Sequence, residues 1–339
     1  MHAAVLQEPG QPLAVVEVDD PTPAADEVLL AVEACGICGS DLHVSDVLPA
    51  PGLIMGHELC GTVVAVGGQV RSEAPLLGEG VRVAALSLAT CGRCIACRTG
   101  RVRKCVEAKM IGIERPGGYA ELITIPARDV VPLPEGLDHR HGALIEPLAV
   151  GIHTVNRAGI AFGDDVLVLG GGPIGVGVAI WLTQAGAREV IVSDPVASRR
   201  ELAMTVGATG TLDPMREDVA TGFAAITGSP PRHVIECVGI PGLLQHAVDV
   251  AATDATITVA GVCVSPDQIV PWTFMAKETD VRFSFYYTAH EFNTVIDMIN
   301  LGRIDPLPLI TDEISLDEVP SRFQTLKQPT DHCKVLIRP

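Results

Sequence analysis

Positive charge is what this chain has least of. Against 41 Asp and Glu stand only 24 Lys and Arg, a formal net charge of −17. A chain of this charge repels phosphate backbones and anionic membranes, so neither nucleic acid nor a membrane is expected as a partner. A basic N-terminal region followed by an apolar run is also missing, so no secretory signal is expected. The longest apolar segment is broken by a glycine turn and makes a poor membrane span. No internal repeat and no low-complexity tract is present. The expectation is a soluble, cytoplasmic protein. Its ten cysteines then read as thiols and metal ligands rather than disulfides. The length suits roughly two domains, and 47% apolar residues are ample for a large core.

What is present is organised around Val166-Leu-Val-Leu-Gly170-Gly-Gly172-Pro173-Ile174-Gly175. An apolar run of strand length meets a glycine turn, and an apolar segment of helix length follows to Ala185. The pattern is G-x-G-x-x-G at Gly170, Gly172 and Gly175. Gly170 permits the tight turn, Gly172 lets the backbone approach a pyrophosphate, and Gly175 lets the helix pack close to the strand. Pro173 and Ile174 open the helix, whose N-terminus presents partial positive charge to phosphates. The next strand-like segment, Glu189-Val-Ile-Val-Ser-Asp194, ends in an acid placed to accept hydrogen bonds from a ribose. An acid here favours NAD over NADP, because it repels a 2′-phosphate; Arg199 and Arg200 soften that preference. Further contacts are expected from Cys237-Val238-Gly239 and Gly261-Val262-Cys263, at the carboxyl ends of later strands.

The texture of the chain changes near Leu144. Before it lie short strand-like segments separated by turns: 3–6, 13–18, 27–32, 61–67, 81–86, 117–126 and 130–133. They predict an antiparallel, barrel-like domain. After it, strands alternate with helices at 165–170, 189–194, 234–238 and 256–261, which predicts a parallel, doubly wound sheet. A helix is expected over 290–300, and Lys334-Val-Leu-Ile is expected to return to the first domain as a strand. The stretch Val281 to Tyr287 reads as a sheet edge or a buried strand, and Phe285, Tyr286 and Tyr287 as pocket, core or subunit contacts.

Cys91, Cys94, Cys97 and Cys105 form C-x2-C-x2-C-x7-C. Four thiolates on one loop can close a tetrahedral shell, the pattern of a structural zinc without an open position. An iron–sulfur cluster is the main alternative, but the bacterial ferredoxin run puts its fourth cysteine sooner and follows it with proline, whereas Val106 follows Cys105. A second set, Cys38-Gly-Ser40-Asp41-Leu-His43 and Gly56-His57-Glu58, offers mixed donors. A catalytic zinc keeps about three protein ligands and one open position. Cys38 and His57 suit it, and two carboxylates, Glu58 and Glu146, compete as the third.

Taken together, Gly36-Ile-Cys38-Gly-Ser-Asp-Leu-His43, Gly56-His57-Glu58, the four-cysteine lobe, Glu146-Pro-Leu-Ala-Val-Gly and Gly170-Gly-Gly-Pro-Ile-Gly175 resemble the zinc-dependent medium-chain dehydrogenase/reductase family over essentially the full length. Glu146-Pro stands where simple alcohol dehydrogenases carry a cysteine ligand, so the chain resembles the sorbitol, threonine and butanediol dehydrogenase branch. The resemblance implies an α/β fold: a doubly wound Rossmann sheet over 149–283, and a mostly antiparallel, GroES-like catalytic domain over 1–148 and 284–339 with a zinc lobe at 88–108. It also implies two zinc ions per chain, NAD as cofactor and a homodimer or homotetramer. Cys38, His57 and a glutamate would hold the catalytic zinc, with Glu58 favoured and Glu146 close by. Asp41 would fix the tautomer of His57, and Ser40 and His43 would relay the proton of an alcohol whose hydride passes to the nicotinamide. Polyol-specific relatives carry a tyrosine just after the His43 position and a longer loop before Gly-His-Glu. Val44 and the short loop 45–52 therefore favour a secondary alcohol over a sugar alcohol.

Three other functions compete. A zincless quinone or enoyl reductase would lack the Cys38/His57/Glu58 set. A non-catalytic nucleotide sensor would carry only the structural zinc. A nucleic-acid module built on Arg98, Arg101, Arg103 and Lys104 is opposed by the acidic whole.

Overall fold

The computed structural model describes residues 1–328 and 330–339. The chain forms two compact units, Met1–Glu146 with Thr288–Pro339, and Pro147–Tyr287. A 20-residue helix, His139–Ala158, carries the chain from the first to the second.

The first unit is built on a seven-stranded sheet. Its order is Ile310–Ser315, Lys334–Arg338, Glu27–Gly36, Glu58–Val66, Arg82–Ala85 and Val130–Pro132, with Leu122–Pro126 also paired to Glu27–Gly36. All pairings are antiparallel except that of the first two strands. Period-two alternation builds the central strand: Val28, Leu30, Val32 and Ala34 point inward and the residues between them are part-exposed. Fully burying a leucine such as Leu30 contributes roughly 1.5–3 kcal/mol. The alternation stops at Cys35 and Gly36, both buried, where the terminal strand pairs through Leu336 and Ile337. That pairing returns the C-terminus to the first unit, as expected. The 117–126 segment is only partly a strand. Gly117, Gly118 and Tyr119 instead donate backbone hydrogen bonds to Ile54, Gly56 and Met55, so they form a loop stitched to the residues ahead of His57.

The second unit is a six-stranded parallel sheet in the order Gly210–Leu212, Glu189–Ser193, Asp165–Leu169, His233–Glu236, Thr256–Val259 and Asp280–Phe283. The first of these, 210–212, is too short to have stood out in the sequence. Strand order reverses direction between Asp165–Leu169 and His233–Glu236, the place where doubly wound sheets open a crevice for ligands. Asp280–Phe283 ends the sheet, so 281–283 is an edge and not an internal strand. Tyr286 and Tyr287 are buried and stacked 4.1 Å apart, whereas Phe285 is exposed. Among the described residues no helix is long and apolar enough to cross a membrane.

Candidate metal and dinucleotide sites

In the second unit the glycine turn has the geometry its spacing predicts. Gly170 sits at φ +99°, and a Cβ on Gly175 would lie 1.8 Å from the Gly170 carbonyl oxygen. Only glycine lets the helix Pro173–Ala185 press onto the turn. Nothing lies within 4 Å of a Cβ built on Gly172, so the backbone there is open to an approaching group. Asp194 folds back onto this turn: its Oδ2 accepts the Gly171 amide at 2.8 Å and its Oδ1 the Val196 amide at 2.8 Å. Arg199 Nη1 stands 3.9 Å from the same carboxylate, and Arg199 Nε is buried without a hydrogen-bond partner. At the switch point Glu236 accepts the amides of Val238 and Gly239 at 2.6 and 2.8 Å. This ties down the turn that carries Val238; Val238 and Val262 are both exposed at the strand ends. Glu236 was not singled out in the sequence, although an acid ending a buried apolar strand was the available signal.

In the first unit, Cys91, Cys94, Cys97 and Cys105 bring their sulfurs together. The Sγ···Sγ distances are 3.9 Å for Cys91–Cys97, 3.6 Å for Cys94–Cys97 and 3.5 Å for Cys105–Cys91. Four sulfurs at about 2.3 Å from one ion define a tetrahedron with edges of about 3.8 Å. The donor set therefore fits a single tetrahedral ion. A multi-iron cluster, in which several irons share the cysteines, would hold them further apart. The Cys97 amide leads the interactions that bring the Cys94 thiol down to about 6, which favours a ligand thiolate.

The second cluster joins Cys38, His57 and Glu58, whose ligand atoms lie within 4.8 Å of one another. Cys38 caps the short helix Gly39–Val44 and accepts the Ser40 hydroxyl at 3.2 Å. His43 lies on that helix three residues beyond Ser40, one turn along the same face. His57 and Glu58 are buried. They follow Gly56, held at φ +95° with the backbone of Gly112 and Gly117 against it.

His57 Nδ1 faces Asp41 Oδ1 at 3.3 Å, an ion-pair distance without hydrogen-bond alignment, and neither atom has a hydrogen-bond partner. Asp41, expected to fix the tautomer of His57, thus lies against its ring as a charge contact. With Nδ1 turned to Asp41, the ring's other nitrogen is left for the Cys38 side. Burial opposes ionisation of Asp41, but His57, Tyr119 and the Cys38 amide outweigh it and hold the carboxyl below its usual range. A soft sulfur, an imidazole and a carboxylate gathered within 4.8 Å of one another fit zinc.

The two carboxylates differ. Both oxygens of Glu58 accept from Lys334 Nζ, at 2.7 and 2.6 Å, and Lys334 also donates to the Ile37 carbonyl at 3.0 Å. Lys334 is fully buried. It was not identified from sequence as part of the site; a lysine opening the apolar run 334–337 was the signal. Glu146 lies one helical turn from Gly142, where a Cβ would meet Cys60 Sγ at 2.6 Å. That close packing turns Glu146 toward the same strand as Glu58. Its Oε1 accepts the Ser87 hydroxyl at 2.9 Å. Burial and the nearby Glu58 charge push its carboxyl up to about 7. Ser87, also missed in the sequence, had no distinguishing pattern around it.

Comparison with known proteins bears on both units. Residues 24–135 match the family model described as alcohol dehydrogenase GroES-like domain, and residues 173–300 match that described as zinc-binding dehydrogenase. The chain is 34% identical to the 2-dehydro-3-deoxy-L-galactonate 5-dehydrogenase of Pseudoalteromonas atlantica, covering 95% of this chain and 94% of that one. A Sinorhizobium meliloti 1021 protein solved with NADP superposes with a TM-score of 0.89 at 35% identity, over 100% of this chain and 99% of its own. The RspB alcohol dehydrogenase of Escherichia coli CFT073, solved with NADH, superposes with a TM-score of 0.89 at 30% identity, over 100% and 99%.

Proposed function

Since the chain belongs to the zinc-binding medium-chain dehydrogenase/reductase family, in the branch that includes threonine and butanediol dehydrogenases, we propose that it oxidises a secondary alcohol to a ketone, reversibly, with NAD. The observation that carries this reading is the coexistence of two features in one chain. One is a Cys38–His57–Glu58 donor set with His57 and Glu58 buried; the other is a dinucleotide turn in which Gly175 leaves no room for a side chain and Gly172 leaves its backbone open.

In this reading Cys38, His57 and Glu58 hold a zinc ion, with Glu146 beside them, and Cys91, Cys94, Cys97 and Cys105 hold a second. An ion at the first site would supply Lewis acidity for deprotonation of an alcohol, and a nicotinamide cofactor would supply the hydride acceptor. The chain's own groups do the rest. Asp41 orients His57. Ser40 takes the alcohol proton and passes it toward His43 and solvent. Gly170, Gly172, Pro173, Ile174 and Gly175 seat the pyrophosphate, while Val238 and Val262 cover the cofactor. Asp194 holds the ribose end, and its charge beside the glycine turn supports NAD over NADP. Arg199 is the residue through which NADP would gain ground. No disulfide joins the cysteines among the described residues, in keeping with the reducing, cytoplasmic setting of this reading. The free edge Asp280–Phe283, with Phe283 and Phe285 exposed, supports self-association as a dimer or higher homo-oligomer.

The test is elemental analysis of zinc per chain together with NAD and NADP reduction on a panel of secondary alcohols, hydroxy acids and polyols. Two zinc ions with NAD-linked turnover are expected. A single zinc and no turnover would instead favour a nucleotide-binding sensor with structural metal only. Turnover confined to polyols would move the substrate to sugar alcohols.

A further inference from the structure

We propose that Tyr119 is a positioning residue of the Cys38–His57–Glu58 site, tying its two ligand-bearing segments together; the inference rests on the metal reading of that site. Cys38 and Asp41 belong to one segment, the capped turn opening the helix Gly39–Val44. His57 and Glu58 belong to another, entered through Gly56. Tyr119 bonds to both. Its hydroxyl donates to Asp41 Oδ2 at 2.6 Å. Its main-chain amide donates to the Met55 carbonyl at 2.9 Å, and the preceding Gly118 amide to the Gly56 carbonyl at 2.8 Å.

The side-chain bond decides where Asp41 points. A carboxylate gripped at one oxygen by a single donor can still swing about that bond. Here Oδ2 is gripped twice, by Tyr119 and by the Cys38 amide at 3.1 Å. The carboxylate plane is thereby fixed, and Oδ1 is directed at His57 Nδ1, 3.3 Å away. A ligand histidine whose second nitrogen faces a fixed carboxylate keeps one ring orientation and one tautomer.

The ring itself is fully buried and closely fitted. A Cβ on Gly56 would lie 2.4 Å from its Cδ1. With the ring clamped, the hydroxyl cannot move to another partner, and a buried hydroxyl without one is costly. Core filling alone would need a phenyl ring at 119. The hydroxyl, aimed at a buried carboxylate, is the feature that core filling does not explain.

The experiment uses the full-length protein, stripped of metal and titrated with Zn(II) against a competing chelator, for wild type, Tyr119→Phe, Asp41→Asn and the double variant. The four-cysteine lobe is the internal control. In Tyr119→Phe the mixed-donor site is expected to weaken about tenfold, within the range seen when outer partners of metal ligands are removed. The lobe keeps its affinity, and the double variant is no weaker than Asp41→Asn alone, because both changes cut the same chain of contacts.

An affinity at the mixed site within about twofold of wild type would overturn the proposal. So would a lowered melting temperature with unchanged metal binding, the mark of a purely structural tyrosine, or two single effects that multiply. Should Tyr119→Phe fail to fold, Asp41→Asn provides the second arm: its mixed-site affinity must fall about tenfold with the lobe unchanged, and an unchanged affinity would equally overturn the proposal. Wild type binding only one zinc would be a failure of the metal reading and not of this step.

Discussion

The two cysteine-bearing clusters of the first unit make opposite use of the chain. The lobe takes all four donors from the stretch between Cys91 and Cys105, and three of its four cysteines are part-exposed. The other cluster takes Cys38 from one segment and His57 and Glu58 from another, all inside or bordering the core. It draws its charge balance from Lys334, near the far end of the chain. A local loop of one donor type can close around an ion with little help from the rest of the fold. Mixed donors must be aimed by neighbours: Asp41 and Tyr119 for His57, Ser40 for Cys38, Lys334 for Glu58, Ser87 for Glu146. In the reading proposed above, the first arrangement would stabilise and the second would be poised for chemistry, since each of its donors has a partner that sets its direction.

Substitutions on each side sharpen that contrast. His57→Ala should remove one of two zinc ions and lower kcat/KM on the order of 10^3-fold, the several kcal/mol that Lewis acidity contributes. Near-native rates in a fully loaded variant would break the assignment.

In the metal-free protein, Lys334→Met should leave Glu58 buried without its cation. The expected cost is about 3–5 kcal/mol in urea unfolding. A neutral result would mean that Glu58 finds water or another donor. Cys97→Ser should act on the other side: loss of the lobe metal and a fall in melting temperature on the order of 5–10 °C. Turnover at low temperature should be largely kept. If Cys97→Ser instead abolished turnover in folded protein, the lobe would not be merely structural.

The finest test separates the carboxylates. Glu58→Gln should weaken zinc at the mixed site about tenfold. Glu146→Gln should keep two zinc ions and reduce kcat alone. The reverse pattern would exchange their roles.

Legibility in the sequence followed the same division. The lobe was readable because C-x2-C-x2-C-x7-C is its whole geometry. The glycine turn was readable for the same reason: Gly170, Gly172, Gly175 and Asp194 act through a single strand–turn–helix–strand unit, and the pairing of Asp194 with the Gly171 amide is a local consequence. Cys38, His57, Glu58 and Glu146 could be named as donors, but their grouping came from resemblance and not from spacing. Ser87 and Tyr119 were invisible as site residues, since each looks like an ordinary core or strand position until a distant partner is known; Lys334 carried only the signal of a lysine opening an apolar strand, which named no partner.

The sequence by itself determined the charge balance and the elements whose physics is short-range: alternating strands, the tight glycine turn and the thiolate loop. Tertiary structure alone decided which buried carboxylate faces which cation. It returned Lys334 to Glu58 by pairing the last strand with Glu27–Gly36, and it brought Tyr119 to Asp41 by stitching 117–119 to 54–56. The reason is that a buried charge or hydroxyl must be satisfied by whatever group the fold brings within about 3 Å, and no local pattern encodes a partner that lies 78 or 276 residues away.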